Sequence, residues 1–387
     1  MARSPVVALL LLLIAIPSSS QTTRAEAIAT EQEAKASRLG VEGPSEGERV
    51  VRRILTSPLL AGGDGAYPWF GSVFGGSGMA SGAGYLKRLP NAASASVTAG
   101  VSVNKSMLME GRFSAPELWR GKVRVDGLAR WIDVKDVSFF GLGQASSVSQ
   151  RDRYDYQPTE FGGDVSVTPK GRLSFGGGYS WLGLNTTAES GTTHRAPGIG
   201  EALQYHVTRG SVAFDSRTSP GYNTRGGFYS ASISRHDERT GQPFSFRTEE
   251  YEVVQLLPLV REQFVLAFRG LATFTQPDGG DDVPVVLSPF LGSGSTLRGF
   301  RNRRFTDRQL LLFTGEYRWR PSRYLDMAVF LDAGQVAPER RDLRLDALDT
   351  SWGIGARFHK PTFTAFRVEV ARGREGIALV FGGAQSF

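Results

Sequence analysis

Leu310-Leu311-Leu312-Phe313-Thr314-Gly315-Glu316-Tyr317-Arg318-Trp319-Arg320 is the stretch that decides the fold of this chain. Leu311, Phe313, Tyr317 and Trp319 alternate there with Leu312, Thr314, Glu316 and Arg318. A period of two is that of a β-strand, whose successive side chains point to opposite faces. One face is apolar and aromatic while the other carries the charges, which suits a strand with lipid on one side and a polar interior on the other. A bilayer offers no hydrogen-bond partners to an open sheet edge, so such strands cross it by closing into a barrel.

The pattern continues on both sides. Upstream, Phe264, Leu266 and Phe268 oppose Val265, Ala267 and Arg269. Downstream, Met327, Val329 and Leu331 oppose Phe330, Asp332 and Gly334, and Trp352, Ile354, Ala356 and Phe358 oppose Gly353, Gly355, Arg357 and His359. Phe366, Val368 and Val370 then oppose Arg367, Glu369 and Ala371. The last run sets Ile377, Leu379, Phe381 and the terminal Phe387 outward against Ala378, Val380, Gly382 and Ser386. Runs of this kind number about sixteen, an even count that single-chain bacterial barrels require. Connections at 168–171, 258–262, 321–324 and 360–364 are short, and those at 186–200, 276–308 and 336–349 are long. The two classes alternate, as periplasmic turns and outer loops do. The expected fold is all-β, a transmembrane antiparallel barrel over residues 57–387.

Ahead of it, Met1-Ala2-Arg3, the apolar run from Val6 to Ile16 and Pro17-Ser18-Ser19-Ser20 read as a cleaved signal peptide over residues 1–20. Residues 21–56 read as a short periplasmic lead, flexible or helical, too short to bury a core of its own. No cysteine occurs in the 387 residues, which removes disulfides, thiolate metal sites and a lipidated cysteine together. No later stretch has the apolar length of a transmembrane helix. The 47 glycines and 24 phenylalanines fit the turns and aromatic girdles of a barrel. The net charge of +7 comes from basic residues scattered among 38 acidic ones, with no basic helix or stacking platform, so no nucleic-acid partner is expected. Nor is an enzyme. Nucleophile elbow, phosphate loop and His-Glu-x-x-His are missing, and His194, His206, His236 and His359 are too scattered for a metal or triad. No catalytic residue, metal or cofactor is assigned.

The connection at 276–308 is of a length that marks a functional lid or a disordered segment. In it, Arg298 stands between Leu297 and the pair Gly299-Phe300, which suits insertion into a packed place. Glu316 and Asp332 face inward on the next two strands and could receive its guanidinium in a bidentate fork. The other reading is an ordinary exposed loop arginine. Arg301, Arg303, Arg304 and Arg308 are expected to be solvated or to face anionic lipopolysaccharide. Asp215 to Arg217 read as a turn or rim contact rather than a ligand site.

Pro289-Phe290-Leu291-Gly292-Ser293-Gly294-Ser295-Thr296-Leu297-Arg298-Gly299-Phe300 resembles the long-loop signature of the bacterial surface antigen superfamily. That superfamily includes the outer-membrane barrel-assembly insertases and the two-partner secretion transporters. Phe140-Gly141-Leu142-Gly143, Phe214-Asp215-Ser216-Arg217 through Pro220 to Thr224-Arg225-Gly226, Gly315-Glu316-Tyr317-Arg318 and Phe330-Leu331-Asp332-Ala333-Gly334 are similar to its other motifs, in register. The resemblance covers roughly residues 66–387.

It implies an integral protein of the bacterial outer membrane, in contact with lipid and lipopolysaccharide, with the long loop folded into the lumen. It further implies that Arg298 pairs with Asp332 near Glu316, forming with Gly299 and Phe300 a lumenal latch, and that Leu379, Phe381 and Phe387 form a C-terminal assembly signal. The implied function is insertion or translocation of client outer-membrane proteins through a lateral seam between first and last strands, weakened by Gly382 and Gly383. Larger members carry periplasmic domains that gather clients; a further reading is that residues 21–56 or a separate periplasmic partner supply that function here. The other reading is a passive or gated channel plugged by the same loop.

Overall fold

The computed structural model describes residues 64–75, 77–189, 196–218, 221–260, 262–322, 324–359, 364–382 and 387. The signal peptide expected at 1–20 and the lead expected at 21–56 lie outside them. Within the described residues the wall strands are β1 (Gly65–Gly71), β2 (Ala80–Arg88), β3 (Ser94–Ser102), β4 (Met107–Glu117), β5 (Val123–Phe139), β6 (Asp152–Lys170), β7 (Leu173–Ala188) and β8 (Ala202–Asp215). They continue as β9 (Gly226–Glu238), β10 (Phe246–Val260) and β11 (Phe264–Pro277). After a two-stranded ribbon of β12 (Phe290–Leu291) and β13 (Phe305–Thr306), the wall resumes with β14 (Gln309–Ser322), β15 (Leu325–Ala337), β16 (Asp349–His359), β17 (Thr364–Gly373) and β18 (Gly376–Gly382). Sixteen strands thus make one antiparallel sheet of consecutive neighbours, curled into a nearly closed barrel. Between the edges β1 and β18 no ladder exists among the described residues.

Alternation builds this wall. Phe313, Tyr317, Val329, Leu331, Trp352 and Ile354 stand exposed on its outer face, while Glu316, Asp332, Arg357 and Glu369 are buried on its inner face. A contiguous apolar exterior of this extent is a lipid-facing surface, and a soluble sandwich would bury the opposite set. No helix among the described residues is long and apolar enough to cross a membrane.

The first strands are less regular in sequence because their packing uses glycines. Tyr67 from β1 covers Gly84, where a Cβ would come within 2.2 Å of its ring, and Trp69 covers Gly100. Rings laid over strand glycines restore the packing that those positions lack. Pro68 lies mid-strand in β1, tolerable because an edge strand need not offer every backbone donor.

The long connection between β11 and β14 fills the lumen rather than standing above it. Val283, Val285 and Val286 pack against Leu184, Leu203, Tyr205 and Phe246 of the wall. Leu291, Leu297, Phe300 and Phe305 pack against Leu310, Leu312 and Val336. These two apolar contacts hold the loop at separate places on the inner wall.

Candidate functional site in the lumen

The ribbon of β12 and β13 carries Leu297-Arg298-Gly299-Phe300 at its tip. Gly292 begins the excursion at φ +93°, and its carbonyl accepts from the Arg303 amide at 2.9 Å, closing the base of the tip. Leu297 is wholly buried and anchors the tip in the cluster with Leu312 and Val336.

Beside it, Arg298 is 1% exposed. Its Nε and Nη2 donate to Asp332 at 3.0 and 2.7 Å, and its Nη1 donates to Glu316 at 2.7 Å and to Glu369 at 3.2 Å. The guanidinium also lies over the Phe330 ring, 3.4 Å from its centroid. Asp332 accepts further bonds from Thr314 and Ser351, both at 3.1 Å.

The carboxylates are shared with the wall. Glu316 accepts from Arg318 at 2.7 Å and from Arg357 at 2.8 and 2.9 Å. Glu369 accepts from Arg357 at 2.9 Å and from Arg367 at 2.7 Å. Among the described residues this buried cluster sets four guanidiniums against three carboxylates. Such a network is favourable only while each charge keeps its partners, and losing one member leaves another buried charge uncompensated.

Gly299 explains why the segment fits. A Cβ there would sit 2.5 Å from the backbone nitrogen of Gly373 and 2.8 Å from Ser351 Cβ. The Phe300 ring occupies the matching gap over Gly373. Gly299→Ala is therefore expected to push the tip off β16 and β17, at about 1–3 kcal/mol for overpacking. Hydrogen exchange of the Phe300 and Arg303 amides would rise about ten-fold or more. Unchanged exchange would mean that the backbone yields without cost.

The sequence reading named Glu369, Arg318, Arg357 and Arg367 as inward residues but not as parts of one cluster. Two expectations need correction. Arg303 and Arg304, expected in solvent or facing lipopolysaccharide, are buried. Arg303 donates to the Val285 carbonyl at 2.7 Å and lies over Phe290. Arg304 donates to Glu375 at 2.7 Å and to Ser146 Oγ at 2.8 Å. The reason is that the loop returns inside the barrel, so its second limb faces wall and loop neighbours. Arg301 is exposed and Arg308 half-buried. The second correction concerns Phe387. Leu379 and Phe381 point outward on β18, but Phe387 lies beyond the strand and packs against the inner cluster of Val254, Leu256, Val265 and Ala267. A terminal residue no longer held in a ladder is free of the strand's alternation.

Two other quoted motifs meet the loop or close the opposite end. Gly143 donates its amide to the Thr306 carbonyl at 2.9 Å, and Phe140 is buried under Arg304. Arg217 pairs with Asp215 at 2.8 Å at the start of the β8–β9 turn. Farther along that turn, Tyr222 stacks on His359 with centroids 4.0 Å apart and donates to Asp326 at 2.8 Å. Burial, and then Asp326 beside it, push the Tyr222 phenol above its ordinary range, so the hydroxyl remains a donor. The turn thus reaches β15 and β16, which its sequence did not signal. Among the described residues no group of three or more His, Asp or Glu could hold a metal ion.

A sixteen-stranded lipid-facing barrel with an arginine-bearing loop in its lumen defines a class of outer-membrane β-barrels. Residues 90–375 match the model of the Omp85 superfamily domain, and the chain belongs to that superfamily. Its fold is similar to that of BamA from Haemophilus ducreyi lacking POTRA domains 1–3, with a TM-score of 0.59 and 15% identity over 82% of this chain and 69% of that one. It is also similar to CdiB from Escherichia coli, with a TM-score of 0.58 and 13% identity over 82% of this chain and 61% of that one. CdiB from Acinetobacter baumannii gives a TM-score of 0.52 and 12% identity, over 82% of this chain and 58% of that one. The chain therefore spans less than two thirds of either CdiB. No curated protein sequence matches it.

Proposed function

We propose that the protein assists insertion or translocation of proteins at the bacterial outer membrane through a lateral seam between β1 and β18, with the lumenal loop latched by Arg298, Gly299, Phe300, Glu316 and Asp332. The observation that carries this reading is the missing ladder between those strands among the described residues. An unpaired edge offers backbone donors and acceptors to an incoming strand, which is how one sheet templates another. Both edges are short, at seven described residues each. A strand tilted across the bilayer needs about nine to eleven. Superfamily membership favours client barrel proteins as partners, with lipid and lipopolysaccharide around the barrel and a separate periplasmic protein to deliver clients. The protein reaches this membrane by export with a cleaved leader, and Leu379, Phe381 and Phe387 serve its own assembly.

The test uses vesicles containing the protein, a denatured small barrel as client, and solute leakage in parallel. Phe70 near the end of β1 and Ile377 near the start of β18 are both exposed and belong to the same end of the barrel. Because the chain has no cysteine, Phe70→Cys with Ile377→Cys gives a single possible disulfide across the seam. Client folding is expected to be accelerated by the reduced form and to fall to the spontaneous rate on oxidation. Acceleration indifferent to the crosslink would sink the seam. No acceleration with steady leakage would make the protein a gated or passive channel plugged by the loop.

A further inference from the structure

Trp119 lies in the turn Leu118–Gly121 between β4 and β5 and is 84% exposed, more than any other large apolar side chain among the described residues. Trp119 and Arg120 hold left-handed backbone, at φ 49° and 61°, which side chains other than glycine avoid. The turn thus displays an indole and a guanidinium at a cost in backbone strain, and strain of this kind persists where the display is used. More cations gather beside it. Lys122 follows the turn, and its carbonyl accepts from the Thr168 amide at 2.8 Å, which ties the end of β6 to the turn. Two residues farther on stands Lys170, with Arg172 across the tight connection to β7. All four basic side chains are exposed, and among the described residues none of them enters an ion pair or a hydrogen bond. Glu117 is the one acid in the two turns. Asp215, whose amide donates to the Arg172 carbonyl, has its carboxylate taken by Arg217. Like charges held on neighbouring strand ends repel one another, and an anion from outside the chain relieves the repulsion.

The depth of the patch says what carries that anion. Val165 and Val167 on β6 and Leu173 and Phe175 on β7 are exposed at alternate positions and form the edge of the lipid-facing belt. Lys170 stands three residues past Val167, at most about 10 Å along the backbone, so its ammonium remains at the level of lipid headgroups. An indole settles at the same level, with its ring in the apolar layer and its N–H toward water. Short connections lie at the periplasmic end of such barrels, so the leaflet in contact is the periplasmic one.

We infer that the β4–β5 and β6–β7 turns form a binding surface for anionic phospholipid of the periplasmic leaflet, whose phosphates are received by Arg120, Lys122, Lys170 and Arg172 with Trp119 seated among the headgroups. The inference needs only the membrane barrel and stands whether or not the protein inserts clients. Lipid held there fixes the height of this side of the wall in the bilayer.

The test reconstitutes the full chain in phosphatidylcholine vesicles with a trace of spin-labelled phosphatidylglycerol or spin-labelled phosphatidylcholine, and reads the fraction of each probe immobilised on the protein. Wild type is expected to retain the anionic probe about ten-fold over the neutral one at low salt. That preference should shrink toward equality as salt rises, because exposed charges are screened. Arg120→Gln, Lys122→Gln, Lys170→Gln and Arg172→Gln made together should bring the ratio close to one. If that variant does not give the folded gel band, the pair from either turn alone should leave about three-fold. The control is Arg341→Gln with Arg344→Gln, which removes two exposed cations already paired with Glu339 and Asp346 and should leave the ratio unchanged. Equal retention of both probes by wild type overturns the surface, as does a preference that survives neutralising the turns. An equal loss in the Arg341 and Arg344 control would assign the effect to net charge and also overturn it. The tryptophan emission lost in Trp119→Phe should be quenched by a nitroxide on the phosphatidylglycerol headgroup, and emission indifferent to that label takes Trp119 out of the surface. Equal retention of the lipids together with tight binding of polyglutamate to the same four cations would make the turns a docking surface for an acidic protein and overturn the lipid reading.

Discussion

Arg298→Ala is expected to release the tip of the lumenal loop while the barrel wall stays assembled. The substitution takes from Asp332 the guanidinium that approaches it at 2.7 Å and leaves it the hydroxyls of Thr314 and Ser351. Glu316 and Glu369 keep Arg357, Arg318 and Arg367, so the loss falls on one carboxylate. Breaking a buried pair in this way costs about 3–5 kcal/mol, or roughly two to four orders of magnitude in the ratio of docked to undocked loop. Undocking lets water reach Asp332, which relieves the cost and is why the tip moves. Tryptic cleavage at Arg301, already on the exposed side of the tip, should accelerate accordingly. The heat-resistant gel mobility of the folded barrel should be retained. Arg298→Lys keeps the charge but not the fork and should fall between the two. A loop as well protected in Arg298→Ala as in wild type would refute the latch. That result would assign the docking to the apolar contacts of Val283–Val286 and Leu297.

Glu316→Gln should do the opposite and weaken the wall itself. Glu316 joins Arg318 on its own strand to Arg357 on β16 and to Arg298 on the loop. An amide in its place leaves four buried guanidiniums facing two carboxylates, with like charges on adjacent strands. The cost is again about 3–5 kcal/mol or more, now borne by β14 to β16. The expected readout is a fall in the temperature at which the folded gel band is lost and a lower yield of folded barrel. Combining the two substitutions removes one of the excess cations, so the double variant should lose less than the sum of the singles. Strict additivity would mean that Arg298 and Glu316 do not act on each other.

The inner and outer faces of the strands from Phe264 to Phe381 could be read from the sequence because backbone geometry fixes side-chain direction locally, at a period of two. Arg298 with Gly299 and Phe300 stood out for the same local reason, an apolar setting around a charge in a long connection. Neither signal extends to partners. Glu369 lies 71 residues from Arg298 along the chain, and its carboxylate meets that guanidinium only because β17 stands next to β16 in the closed wall. Arg303 and Arg304 carry the composition of a solvated loop, and only the path of the loop inside the barrel puts them against Val285, Ser146 and Glu375.

The sequence by itself determined the class of this protein, an all-β barrel with charges inward and aromatic side chains outward, because a bilayer permits few other arrangements of such strands. Tertiary structure alone decided which charges share the lumen and where Phe387 turns inward. Those facts depend on which strands become neighbours when the sheet curls, and contacts across a lumen leave no period in the chain.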